Sequence, residues 1–273
     1  MRSEAILGRI GVEIGSKPQF LALHIGFAAL NSTRCPVMLA MMGRVGIRSP
    51  RRSAIARPSQ PLLSRELIAS TALALVDRVG ADGASIRRVA ATLGVNPTSL
   101  YNHVPNRAAM IEDVRAIVSA DIDSRPLREC PWEEGLRLWA YSYRLAFAGH
   151  PRVVPLLMTT RASSPVLLSE YEDFVVAAEA VGWTSRDVLP LLTAFESFIL
   201  GSVLDMSGPS IVFDPTGQEE RLPRFSLAFA SLSTEDPSDP VASRAFEMGL
   251  SMLVASARPG RSAFSEGQQV ACG

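Results

Sequence analysis

The sequence predicts an all-α fold in which a small three-helix unit precedes a larger helical domain. After residue 60, apolar residues recur at intervals of three and four, the period of an amphipathic helix. Serine, asparagine and proline stand where such stretches begin, and glycine stands where several of them end. With 273 residues the chain is long enough to bury a sizeable core in one or two domains. We divide it into segments 1–60, 61–124 and 125–273.

The segment 64–107 carries the most informative helical pattern. Its first helix has one continuous apolar stripe, with Ser64 suited to cap its start and Gly80 suited to end it. A second helix is predicted to open at Ser85, and its apolar residues fall at i, i+3, i+4 and i+7. Gly94 then turns the chain, because glycine tolerates positive φ. Two helices joined by such a turn predict a helix-turn-helix.

A short third helix is predicted from about Pro97 to His103. Asn96 suits its N-cap and proline suits its first position, while Leu100 and Val104 point inward. The outward side carries hydroxyl, amide, imidazole and phenol groups, which hydrogen-bond to base edges and phosphates. This outward face consists of Thr98, Ser99, Tyr101, Asn102 and His103.

The stretch 86–111, IRRVAATLGVNPTSLYNHVPNRAAMI, resembles the DNA-binding domain of the TetR family of transcriptional regulators. The resemblance is carried by Gly94, Val95, Leu100, Tyr101, His103 and Val104, followed by Asn106 and a basic residue. It implies that segment 61–124 binds a double-stranded DNA operator. Matched position by position, it implies DNA contacts at Arg87, Pro97, Thr98, Ser99, Tyr101, His103 and Arg107, beside Asn102 on the outward face. Among these residues, Arg87, Thr98 and Ser99 are expected to contact base edges.

Other interpretations stay open for this segment. Three short amphipathic helices also occur in all-α cores that never contact DNA. Tyr101 could pack its ring on Val104 and Arg107, and His103 could be a surface imidazole without a role.

Charge is unevenly distributed, although the formal net charge is zero. Residues 1–60 contain nine Lys or Arg against two Glu, residues 61–125 contain seven against seven acids, and residues 126–273 contain eleven against eighteen. The predicted reading segment is therefore not strongly basic. We expect modest non-specific affinity for DNA and a dependence on dimerisation for tight binding.

Segment 1–60 is an extension with three open interpretations: a disordered basic arm, a short helix docked on the body, or a translated upstream region. In the last case the start lies at Met38, Met41 or Met42. An apolar run at 20–30 is too short to span a bilayer, and Glu4 and Glu13 do not suit a signal peptide. We expect a cytoplasmic location and no membrane partner.

The second informative helix begins at Arg186 and ends at Leu204, and apolar residues surround nearly its whole circumference. Such a helix must be buried on all sides. We therefore expect one of its faces to pack on a second copy of the chain, together with the helix that begins at Val241 and ends at Ala257. A central helix in a monomeric bundle is the alternative.

The order of PWEEGLRLWAYSYRLAFAGHPRV, LLMTTRASSP and the apolar helix resembles the effector domain of the tetracycline-repressor branch. This implies that segment 125–273 binds a small-molecule effector and dimerises. Thr159, Thr160 and Arg161 align with the Gly-Thr-Arg of that branch, which places its metal-coordinating histidine at Leu157. We therefore expect an effector other than a magnesium chelate.

Two groups of residues are expected to line the effector pocket, although each aromatic could instead be plain core. The polar anchors are Thr160 and Arg161. The apolar lining is Trp139, Tyr143, Met158, Phe195 and Phe198.

Motifs of catalysis are missing from the sequence. The three histidines and three cysteines lack zinc-type spacing, and no phosphate-binding loop or nucleophile elbow occurs. We expect no catalytic residue, metal or cofactor.

Taken together, these features predict a homodimeric repressor that releases a palindromic operator when a small molecule binds. The alternatives are a helical ligand-binding or protein-interaction module whose helix-turn-helix no longer binds DNA, and an α-helical enzyme.

Overall fold

The computed structural model describes residues 63–208, 213–232 and 241–258. The interpretations of segment 1–60 lie outside these residues. Within them the chain forms α-helices, two short 3-10 turns and no strand, which confirms the all-α prediction. The α-helices are α1 (Arg65–Val79), α2 (Ile86–Leu93), α3 (Pro97–Tyr101), α4 (Arg107–Ser119), α5 (Arg125–Glu129), α6 (Trp132–Ala148), α7 (Val154–Met158), α8 (Pro165–Ala180), α9 (Ser185–Asp205), α10 (Pro223–Leu232) and α11 (Val241–Ser256).

Helices α1 to α3 form the predicted three-helix unit, and α4 packs against α1. The hydroxyl of Ser64 caps α1 by accepting from the Leu67 amide at 3.1 Å. Gly80 ends α1 with φ +75°, and Gly94 ends α2 in the left-handed region with φ +69°. A side chain at either position would be strained, because L-residues rarely adopt positive φ.

Helix α3 is shorter than the sequence predicts and ends at Tyr101 instead of His103. The amides of His103 and Val104 both donate to the Leu100 carbonyl at 2.9 Å, in a tight turn that brings Val104 into the core. Pro105 follows, and a proline disfavours the helical conformation at the residue before it. The outward residues Asn102 and His103 therefore lie on this turn.

Helices α2, α8 and α9 begin without a capping hydrogen bond from a side chain. Ser185 is the first residue of α9, whose N-cap is Thr184. Ser85 and Ser164 hold the N-cap positions of α2 and α8, but neither side chain bonds to its helix. Packing of the apolar faces is therefore the larger contribution at these helix starts.

Helix α4 joins the two parts of the molecule, because it packs on α1 on one side and on α6 and α8 on the other. Its buried residues Met110, Val114 and Val118 belong to a single core cluster. This cluster extends from Ile68 in α1 to Ala257 after α11. The described residues thus share one continuous core across both segments.

The C-terminal bundle packs α6, α8, α9 and α11 around aromatic rings. The ring centroid of Trp139 lies 5.2 Å from that of Phe174 and 6.3 Å from that of Phe195. Phe174 and Phe195 in turn have centroids 6.2 Å apart. These tilted and edge-to-face contacts lie in the range favoured by aromatic quadrupoles.

Helix α9 is buried on one side only in the single chain. Its exposed residues recur along one face, and Leu189 on that face is 58 % exposed. By length and composition α9 could also cross a membrane, a test that core helices of this length pass as well. Here it packs between α6, α8 and α11.

Candidate functional site

Helix α3 and the turn after it present polar side chains to solvent. Tyr101 is 53 % exposed, Thr98, Asn102 and His103 are exposed, and Ser99 is half-buried. Within the described part of the chain, the side chains of these five residues make no hydrogen bond. Their donors and acceptors are therefore available to an external partner.

The local sequence holds α3 in place although it is too short to be stable alone. The Asn96 side-chain oxygen caps it by accepting from the Thr98 amide at 2.9 Å. Pro97 is its first residue, and Leu100 anchors its inner side with complete burial. These expected cap and core roles match the structure.

Two predicted contact residues lie outside α3. Arg87 is exposed near the start of α2. Arg107 is exposed at the start of α4, and its Nε donates to the Ala84 carbonyl at 2.7 Å. Arg107 therefore ties α4 to the loop before α2, a positioning role that the sequence did not suggest.

The far half of α4 is bonded to the end of α7 and to the loop that follows it. Arg115 donates from Nη2 to the carbonyl oxygens of Leu157 and Thr160, both at 3.0 Å. Its Nε pairs with Glu112 at 2.8 Å, and Glu112 accepts from the Ser163 amide at 2.6 Å. Arg115 and Glu112 thus couple α4 directly to the C-terminal domain.

A second set of bonds joins the end of α1 to the 3-10 turn at Pro151–Val153. His150 Nδ1 lies 2.7 Å from an Asp77 carboxylate oxygen. Arg152 donates to the backbone carbonyls of Asp77 at 3.2 Å and Arg78 at 2.5 Å. The helix-turn-helix is therefore attached to the C-terminal domain at two points.

A cavity of about 220 Å³ lies between α4, α6, α8 and α9 and reaches the loop after α7. The expected pocket residues Tyr143, Met158 and Thr160 line it, as does Leu157. Further lining residues were not predicted from the sequence. They include Arg115, Phe147, Tyr171, Thr193, Glu196 and Ser197.

Four expected pocket residues do not line this cavity. Trp139 and Phe195 are fully buried in the aromatic core. Phe198 stacks on Phe246 of α11 with centroids 5.4 Å apart, and Arg161 is exposed outside the lining. Whether an aromatic ring lies in the core or lines the cavity depends on the position of its residue around the helix. The family resemblance did not give that position.

A carboxyl group with two phenol donors forms one polar part of the cavity wall. Glu196 Oε1 accepts from the hydroxyl of Tyr143 at 2.8 Å and from that of Tyr171 at 2.5 Å. Burial raises the pKa of Glu196 against the opposing effect of these two bonds. Burial and the neighbouring Glu196 also raise the pKa of both phenols, so that they stay protonated and donate.

A second acid lies close to this group. Glu170 of α8 is 6 % exposed, and its Oε2 is buried without a hydrogen bond from the described residues. Burial, followed by repulsion from Asp173 and Glu196, raises its pKa to about 8. An uncompensated acid in a core costs stability wherever it ionises.

We expect the Glu170→Gln variant to gain stability relative to wild type as pH rises. The folded-state pKa of Glu170 lies above its unfolded value, so wild type loses stability between about pH 4.5 and about pH 8. The difference in unfolding free energy should grow by about 3 kcal/mol from pH 5 to pH 8, measured by urea denaturation. The exposed Glu172→Gln on the same helix is the matched control, and a pH-independent difference for Glu170→Gln would contradict the assignment.

Glu196 was not predicted to line the cavity, although the sequence contains a feature that distinguishes it. Glu196 is the single acid between Val188 and Leu204 in an otherwise apolar helix. Such an isolated ionisable residue on a buried face indicates a functional position more directly than the aromatics around it.

Two family models match the chain. The model described as "Bacterial regulatory proteins, tetR family" matches residues 68–114, which include α2 and α3. The model described as "Tetracyclin repressor-like, C-terminal domain" matches residues 125–256. A tetracycline repressor protein of class A from transposon 1721 of Escherichia coli is 28% identical over 195 residues, covering 70% of this chain and 89% of that protein.

Solved structures share the fold. ActR from Streptomyces coelicolor in complex with actinorhodin has a TM-score of 0.56 at 22% identity, covering 72% of this chain and 96% of that one. TetR from Acinetobacter baumannii AYE has a TM-score of 0.53 at 26% identity, covering 71% and 95%. The predicted family resemblance is thereby confirmed. With a helix-turn-helix followed by a repressor-type helical domain, this chain belongs to the TetR family of DNA-binding transcriptional regulators.

Proposed function

We propose that this protein is a homodimeric repressor that binds a palindromic operator in the cytoplasm and releases it when a small molecule fills the cavity. The single observation that carries the proposal is the position of α4. Its first residue, Arg107, is bonded to the helix-turn-helix, and its Arg115 forms part of the cavity wall. Ligand and DNA therefore act on the same helix. The proposal includes no catalytic role.

The reading surface is proposed to be α3 with its flanks. Thr98 and Ser99, at the start of α3, and Arg87 on α2 are assigned to base edges. The remaining contacts go to phosphates and position the helix without reading sequence. They are assigned to Pro97, Tyr101, Asn102, His103 and Arg107.

The proposed coupling is a shift between two conformations. A ligand that contacts Arg115, the end of α7 at Leu157 and the loop at Thr160 changes the bonds that hold the far end of α4. Since Arg107 ties the near end to the reading unit, a displaced α4 moves α3 out of its groove. The ligand shifts the equilibrium by the difference between its affinities for the two conformations.

The exposed face of α9 is proposed as part of the dimer interface, together with α11. Leu189 and Leu204 are exposed large apolar residues on α9, as are Met248 and Met252 on α11. Gly201 has no atom within 4 Å of the point where a Cβ would stand, so a helix of a second copy can approach closely there. Two-fold symmetry would set the two reading helices about 34 to 36 Å apart, matching successive major grooves.

We expect Gly201→Glu to weaken the dimer. The added side chain meets open space in the single chain, but in the dimer it buries a charge near its symmetry mate. The dimer dissociation constant should rise about 50-fold, as measured by sedimentation equilibrium. Gly149→Glu also places a carboxylate in open space and is the matched control, away from α9. Equal dissociation constants for both variants would remove this face from the interface.

The experiment that tests the function is fluorescence anisotropy with DNA that flanks the protein's own gene. We expect saturable binding that weakens steeply with salt and needs two half-sites. Protein that is folded and dimeric but binds this DNA no better than a scrambled duplex would instead support a ligand-binding or interaction module.

A further inference from the structure

The cavity wall contains one arginine, Arg115, whose positive charge is already paired with a carboxylate. The Arg115 guanidinium pairs with Glu112, and the two side chains are 8% and 16% exposed. Its Nη2 also donates to Leu157 and Thr160, including the Thr160 hydroxyl at 2.8 Å. This pair contributes no net charge to the cavity.

Glu196, the acid that lines the cavity, forms no such ion pair among the described residues. Glu196 Oε1 accepts two phenol hydrogen bonds, but Oε2 accepts none from the described residues. Glu170, close by, adds a buried oxygen without a partner. Among the described residues, no Lys or Arg forms an ion pair with either carboxyl group. The hydrogen-bonding capacity of Glu196 Oε2 is therefore available to a ligand in the cavity.

Aromatic rings surround the same carboxyl group. Tyr143, Phe147 and Tyr171 line the cavity, and the rings of Tyr143 and Phe147 stack with centroids 5.2 Å apart. Ring faces attract cations as well as apolar groups. A cavity of about 150 Å³ is known to hold benzene, so a volume of about 220 Å³ suits a two-ring body.

We propose that the effector is a monovalent organic cation, an aromatic body of about two rings whose ammonium group donates to Glu196 Oε2. This inference rests on the proposed function, because it assigns a chemical class to the ligand of that cavity. A bound ammonium would pair with the Glu196 carboxyl group, and the aromatic body of the ligand would stack against Tyr143 and Phe147.

The test uses three probes that share one body and differ in charge: 1-naphthylmethylamine, 1-naphthylmethanol and 1-naphthoate. Calorimetric titration of the full-length dimer at pH 7 should show the amine binding tightest and the acid weakest. Glu196→Gln keeps an oxygen for both phenols and removes the charge, so it should weaken amine binding about 30-fold and leave alcohol binding nearly unchanged.

Two further variants sharpen this test. Glu172→Gln makes the same change at an exposed position of α8 and should not alter amine affinity. Glu196→Asp keeps the charge and should retain the preference for the amine over the alcohol, and it replaces Glu196→Gln as the readout if that variant does not fold.

Several outcomes would overturn the proposal. Tightest binding of naphthoate would make Arg115 the charge partner of the ligand, and equal binding of amine and alcohol would remove the charge of Glu196 from recognition. Failure of all three probes at millimolar concentration would also reject a two-ring cation. Operator binding by the same preparation, measured in the absence of probe, separates these results from failure of the repressor function itself.

Discussion

The double variant Thr98→Ala, Tyr101→Ala is expected to bind operator DNA about 100-fold more weakly than wild type. It removes one proposed base contact and one proposed phosphate contact. Both side chains are exposed and make no hydrogen bond within the described residues, so their loss leaves the fold intact. Anisotropy titration with the operator, alongside urea denaturation, measures affinity and stability separately.

Ser70→Ala is the control for this pair, because it removes an exposed hydroxyl from α1 of the same domain. It should leave operator affinity within about twofold of wild type. Unchanged affinity in the double variant would take α3 out of the DNA interface. A loss of affinity that tracks a loss of stability would assign the two residues to folding instead.

Replacing Trp139 by alanine is expected to lower the free energy of unfolding by about 3 kcal/mol. Trp139 is 1 % exposed, and its ring packs on Tyr143, Phe174 and Phe195. The cost falls at the lower end of the usual range for such a truncation, because the buried indole N–H has no acceptor among the described residues. Urea denaturation measures the change.

Leu145→Ala on the same helix is the control, since Leu145 is 49 % exposed. It should cost less than about 1 kcal/mol. A similarly small loss of stability for Trp139→Ala, combined with a large loss of ligand affinity, would indicate that Trp139 lines the cavity, as the sequence predicts.

Local chemistry explains which helices could be predicted. Asn96 and Gly94 act through hydrogen bonds and a backbone conformation that depend on a few neighbouring residues, so their positions in the sequence define α3 and its turn. Helices α5 and α7 contain five residues each, which is too short for an apolar period to repeat. Helix α10 was likewise not predicted.

The two candidate sites differed in how far the sequence could define them. The reading face is made of consecutive positions on one short helix, so its members follow from the motif. The cavity draws on four helices, and which ring faces it depends on how those helices rotate against each other. Trp139 and Tyr143 lie one turn apart on α6, yet the first is core and the second lines the cavity. Among the residues that line the cavity, Arg115 and Glu196 differ from their neighbours in the sequence pattern, because each places an ionisable group on an otherwise apolar helix face.

The continuous core has a consequence for the independence of the two domains. Met110 and Val114 of α4 are completely buried, and they belong to a core cluster with residues from both segments. Excision of the helix-turn-helix segment would expose the side of α4 that α6 and α8 now shield. We therefore expect cooperative melting in one transition, with no stable intermediate in which only the reading unit is folded. If the three-helix unit does not melt separately, we expect it to change its fit to DNA by moving as a rigid body.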